Sequence, residues 1–188
     1  MKQSSQFYIR FVLVAVLLVA SVFIRVQQYV PNVAPTTAIA LLGGAMLPLP
    51  WSFALPLVAQ FASDMIIGFD ELPITYAIYG SFLLTVGIGY WLRKSQSPWR
   101  VAIASIASSI IFYLVTNAAV WKFSGLYPAT FDGFILSYIY AIPFFRNTLL
   151  GDMVYTYSLF LAVRYAPATI TYALRKVSHV RNYARQEI

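Results

Sequence analysis

The residues of this chain with chemistry to do are carboxylates set inside apolar helices. Asp64 follows Gln60 by four, and Thr148, Asp152 and Thr156 repeat at the same interval, so each set shares one helical face. Within a membrane an ionised side chain costs about 2.5–3.5 kcal/mol to insert, so it needs a partner or a wet cavity. Three chemistries are open to these groups. They pair with Arg25 and Arg146 and hold helices together, they contact a bound solute, or they relay protons or ions. Around them stand Asn117, Trp121, Tyr127, Asn147 and Asn32, which offer amide donors and aromatic walls near expected helix ends. Capping and loop hydrogen bonds are the ordinary use of such Asn residues, and an aromatic belt that of Trp and Tyr.

Other chemistries are excluded by residue type. The chain has no Cys, which removes disulfides, thiolate nucleophiles and Cys-bound metals together. Its one His, His179, lies in a charged tail, so neither a His-based triad nor a His-rich metal site is expected. Two membrane aspartates invite comparison with intramembrane aspartyl proteases, where facing carboxyls share a proton. Those enzymes carry Gly-x-Gly-Asp; this chain has Leu149-Leu150-Gly151-Asp152, and Ser63 rather than Tyr precedes Asp64. No Ser-His pair, P-loop or zinc spacing is present. The expectation is no enzyme, no cofactor and no metal. A net charge of +7 is spread over loops rather than along a groove, so nucleic acid is not an expected partner.

The elements that position these residues follow from composition. The chain of 188 residues is 60% hydrophobic and 10% charged, with a mean hydropathy of +0.72. That reads as an all-α polytopic membrane protein whose solvent is lipid. Six transmembrane helices are expected, the second one short. The first is the run Phe11 to Ile24, retained rather than cleaved as a signal peptide because no small-x-small pair ends it. Thr36 to Leu47 is the short second helix, which either spans with help from its flanks or is re-entrant. Trp51 to Gly68, Ile74 to Leu92 and Val101 to Val120 follow, with Gly80 and Gly87 on one face for close packing and Ser105 and Ser109 in small-xxx-small spacing. Phe131 to Ile142 is expected as a separate interfacial helix, and the last span runs from near Asn147 to near Arg164, its N-terminal dipole favouring an anion.

Charge then orients the bundle. With the N-terminus inside, ten cationic residues (Lys2, Arg10, Arg93, Lys94, Arg100, Arg164, Arg175, Lys176, Arg181 and Arg185) lie inside and Arg25, Lys122 and Arg146 outside. A five-span rival with the N-terminus outside moves only Lys2, Arg10 and Arg25. Either way Asp64, Asp70, Glu71, Asp132 and Asp152 gather toward the outer side. Residues 1–166 are expected as one transmembrane domain, and residues 167–188 as a basic amphipathic cytoplasmic tail on anionic headgroups or a partner. The expected location is the bacterial inner (cell) membrane, multi-pass, with both termini cytoplasmic.

A set of motifs adds a resemblance. They are Asn32 to Pro35 with the following Ala-Leu-Leu-Gly-Gly; Trp51, Pro56 and Ser63-Asp64 with Gly68; Tyr79-Gly80; Thr116-Asn117 with Trp121; Tyr127-Pro128; and Ile142 to Thr148 with Gly151-Asp152. On these the chain resembles a bacterial family of six-helix membrane proteins described as transport proteins, and is similar to the substrate-binding S components of energy-coupling-factor (ECF) transporters. The resemblance implies an S-component-like bundle, open outward, that captures a small solute. It also implies a coupling subunit and an ATPase module as partners. Ala15 and Ala20 stand five apart, which departs from the Ala-xxx-Ala groove of those components. The expected function is thus a small-solute binding or uptake component with an outward-facing polar pocket. The alternative is a structural or assembly subunit of a membrane complex without its own ligand site.

Overall fold

The computed structural model describes residues 16–27 and 30–184, with side chains as far as residue 165. Among the described residues all regular structure is helical: α1 (Val16–Gln27), α2 (Thr36–Met46), α3 (Leu49–Ile67), α4 (Leu72–Trp91), a 3-10 turn (Leu92–Lys94), α5 (Pro98–Phe123) and α6 (Phe131–Ala184). Lys2, Arg10, Ala15, the start of the first apolar run, and the side chains of the basic tail lie outside the described residues.

The short helix α2 is the axis of the bundle. Its sequence carries no charge and is apolar on every side, which favours enclosure. Every residue from Thr36 to Ala45 is buried, and the helix packs against α3, α4, α5 and α6. Its 11 residues rise only about 16 Å, half the thickness of a hydrocarbon core of about 30 Å. Pro48 stops it by forcing Leu47 into extended backbone (φ −99°, ψ 155°). The carbonyls left open there are met by side chains: Ser52 Oγ donates to Gly43 O and to Leu47 O at 2.9 Å. Arg93 adds Nε to Gly44 O at 2.8 Å and Nη2 to Leu47 O, a cation where the helix dipole is negative.

Close packing of α2 on α4 depends on two glycines. A Cβ at Gly44 would strike the Val86 carbonyl, and one at Gly89 the Leu41 carbonyl. The sequence pointed instead to Gly80 and Gly87 for this role. Neither has a neighbour within contact of a Cβ, because the face of α4 that meets α2 is the one carrying Val86 and Gly89. Below this contact Leu41, Leu42, Ala45, Leu92, Val101, Ala104 and Phe160 form an apolar cluster.

The last helix also departs from expectation. Instead of an interfacial helix and a separate span from Asn147, α6 runs unbroken from Phe131 through Pro143 and past residue 166 to Ala184. Thr130 caps its start by accepting the Gly133 N–H at 3.1 Å, with Asp132 in the first turn where the dipole welcomes an anion. Pro143 removes one backbone donor but does not end the helix. Arg146 and Asn147 are therefore mid-helix residues, and no helix dipole is focused on them.

Beside that apolar cluster the interior holds many polar side chains, while large apolar ones face outward. Ser52, Gln60, Ser63, Asp64, Ser81, Thr85, Ser105, Ser108, Ser109, Asp152 and Thr156 are buried, whereas Val58, Phe61, Met65, Leu84, Ile106, Leu114, Leu150 and Val154 are exposed. Two helical stretches, Leu72–Lys94 and Pro98–Phe123, are long and apolar enough to cross a membrane.

Candidate functional site

Two carboxylates anchor separate networks at one end of the bundle. Asp64, on α3, is held by three elements. Arg25 of α1 pairs with it at 2.6 Å, Tyr79 of α4 donates its hydroxyl at 2.8 Å, and Gln60 Nε2 lies 3.3 Å from Oδ1 and 3.4 Å from Oδ2. Arg25 also donates to Ser63 Oγ and, at 3.4 Å, to Gln60 O. The four-residue spacing of Gln60 and Asp64 places both on the inner face of α3, so the ion pair binds α1, α3 and α4 into one unit.

Asp152, on α6, has different company. Ser109 of α5 donates to Oδ2 at 2.7 Å, and the Thr37 hydroxyl of α2 faces the same carboxylate. Asp152 is only 3% exposed, yet among the described residues no Lys, Arg or His pairs with it.

Between the two networks lies a cavity of about 190 Å³. Arg25, Gln60, Thr36, Thr37, Thr148 and Asp152 supply its polar wall, and Phe82 and Phe112 an aromatic one, their rings 5.6 Å apart. Asn32 and Asp70, both exposed, stand at its rim. Asn32 holds a left-handed backbone (φ 60°), which Asn tolerates better than most residues, in the turn that leads into α2. The lining thus comes from α1 to α6 and two loops. Arg25 is paired with Asp64, and among the described residues neither Asp152 nor the rim Asp70 has a Lys or Arg partner.

Of the residues singled out in the sequence, Arg25, Asn32, Gln60, Thr148 and Asp152 line this cavity, and Asp64 stands behind Arg25. The others lie elsewhere. Asn117 Nδ2 donates to Tyr113 O of its own helix at 2.8 Å, and Asn147 Nδ2 to Pro31 O at 3.3 Å. Trp121 Nε1 donates to Pro128 O at 3.0 Å and meets Phe134 edge-on, while Tyr127 stacks on Tyr140, so both brace the 124–130 connection. Arg146 is exposed. Sequence reasoning missed Thr36, Thr37, Phe82 and Phe112, and treated Ser109 as packing alone. The four-residue spacing of Ser105 and Ser109 was the available signal for the last; nothing local marks Phe82 or Phe112 among so many aromatics.

Together these features define an all-helical bundle with a polar cavity beside a buried central helix. The chain belongs to DUF6580, a family of unknown function, whose family model matches residues 5–174. No curated protein and no solved structure matches the chain. The family match names neither a transporter nor an S component, so that likeness rests on the motifs quoted above.

Proposed function

We propose that this protein is a polytopic component of the bacterial inner membrane that binds a small solute in the cavity beside α2 and serves its uptake. The observation that carries the reading is the cavity itself: a polar hollow of about 190 Å³, walled by all six helices, in a bundle whose outer surface is apolar. Apolar residues outside with small and polar ones at helix contacts is the pattern lipid favours. The cavity lies at the end of the Asp70-Glu71 turn. Arg93, Lys94 and Arg100 lie at the opposite end, and the positive-inside rule puts that end in the cytoplasm and the cavity outside.

The volume suits a metabolite-sized rather than a drug-sized ligand, since pockets for the latter run from about 300 Å³ upward. With Arg25 already neutralised, the wall favours a solute that brings hydrogen-bond donors or a positive group to Asp152. Phe82 and Phe112 pack its apolar part. Asp64 orients Arg25 rather than touching the solute. A coupling subunit and ATPase module would meet the cytoplasmic end.

Native mass spectrometry of gently purified protein tests the reading by the mass of a co-purified small molecule. Gln60→Ala, which opens the wall without touching Asp152, is expected to lose that adduct while membrane abundance stays near wild type. Retention of the adduct by this variant, together with loss of abundance alone in Asp152→Asn, would favour the structural-subunit alternative.

A further inference from the structure

Below Asp152 the interface between α5 and α6 repeats in a four-residue register. Ser109 meets Asp152, Val101 and Phe160 share the apolar cluster, and by that register Ser105 and Thr156 fall at the level midway between them. The helices are antiparallel, so each step of four along one meets a step of four along the other. Both middle hydroxyls are fully buried, and neither Oγ of Ser105 nor Oγ1 of Thr156 has a hydrogen-bond partner. That is unusual within this same helix. Ser108 donates to the Ala104 carbonyl at 2.8 Å, and Ser109 gives its hydrogen to Asp152 at 2.7 Å. A buried hydroxyl left without a partner costs about 1–3 kcal/mol, so something outside the chain is expected to satisfy this pair.

We propose that Asp152, Ser109, Thr37, Ser105 and Thr156 form a binding site for a small monovalent cation, of the size of sodium, at the floor of the cavity. Three observations converge on it. The Asp152 carboxylate is buried with no cation of the protein beside it, although a buried charge needs one. Its neighbours offer oxygen alone, the donor type of hard cations. A single carboxylate balances a single positive charge, and among the described residues no group of three His, Cys, Asp or Glu exists to hold a divalent ion. A proton on Asp152 would neutralise the carboxylate but leave Ser105 and Thr156 unserved. An ion between the two tiers, which stand four residues or about 6 Å apart along the helix axis, reaches oxygens of both. Leu41, Leu42, Val101 and Phe160 close the site below, so the ion enters and leaves through the cavity. The site does not depend on the identity of the solute.

The test is thermal unfolding of the full-length protein in lipid nanodiscs, titrated with sodium chloride against choline chloride at constant ionic strength. A saturable rise of Tm with sodium is expected, absent in Asp152→Asn. The apparent sodium affinity should weaken at least tenfold in the Ser105→Ala/Thr156→Val double variant, which has no protein hydrogen bond to lose and so folds. A Tm that ignores sodium overturns the proposal, as does a sodium response undiminished in the double variant. A response to pH alone would give Asp152 a proton in place of the ion. Because the readout here is the sodium dependence of Tm, with no solute added, its failure is separable from failure of the solute reading, which the adduct mass decides.

Discussion

Removing the cation from the Arg25–Asp64 pair should destabilise the protein more than any other surface-proximal change at the cavity end. The side chain of Arg25 keeps 21% of its exposure and that of Asp64 only 7%, so the carboxylate is the buried partner. Arg25→Met leaves it with Tyr79 and Gln60 as its donors and no compensating charge. Breaking a buried pair from one side costs about 3–5 kcal/mol, and the partial exposure of Arg25 places this case near about 3 kcal/mol. For a chain of this size 1 kcal/mol moves Tm by about 2–4 °C, so a fall of about 6–12 °C is expected. Replacing both partners, Arg25→Met with Asp64→Asn, removes the orphaned charge while the introduced amide oxygen still accepts from Tyr79, and should recover at least half of the loss. The assay is thermal unfolding in detergent with membrane abundance as a second readout. If the single variant melts with wild type, or the double variant melts no higher than the single, the ion pair does not hold α1 to α3 as reasoned.

Gly89→Val should abolish membrane accumulation, because its side chain would meet the Leu41 carbonyl of the central helix, whereas Gly87→Val should accumulate normally; immunoblots of membrane fractions compare the two. The absence of Cys makes the orientation directly testable. A single cysteine at Glu71 should react with an impermeant thiol reagent added to intact cells, and one at Ser95 only after the membrane is opened; the reverse pattern would invert the proposed topology.

Much of the fold was legible because long apolar stretches impose a coarse rule on helix placement. Long apolar stretches bounded by Pro and by charge became α3, α4 and α5 within a few residues of where the pattern put them. The break expected before Asn147 was not realised, since Pro143 costs a helix one hydrogen bond and Thr130 had already capped its start. Arg146 and Asn147 therefore sit mid-helix, outside the lining of the cavity.

What the residues determined alone is the scarcity of charge, the facing pairs Gln60–Asp64 and Asp152–Thr156, and the lack of Cys or a usable His. These follow from residue type and helical period, which need no neighbours. Which carboxylate is spent on an ion pair and which looks into the cavity was decided only in three dimensions. Arg25 reaches Asp64 because α1 packs beside α3. Thr36 and Thr37 enter the wall because glycines let a helix of 11 residues sink into the centre of the bundle. Distances between helices depend on packing across many residues, and no local pattern encodes them.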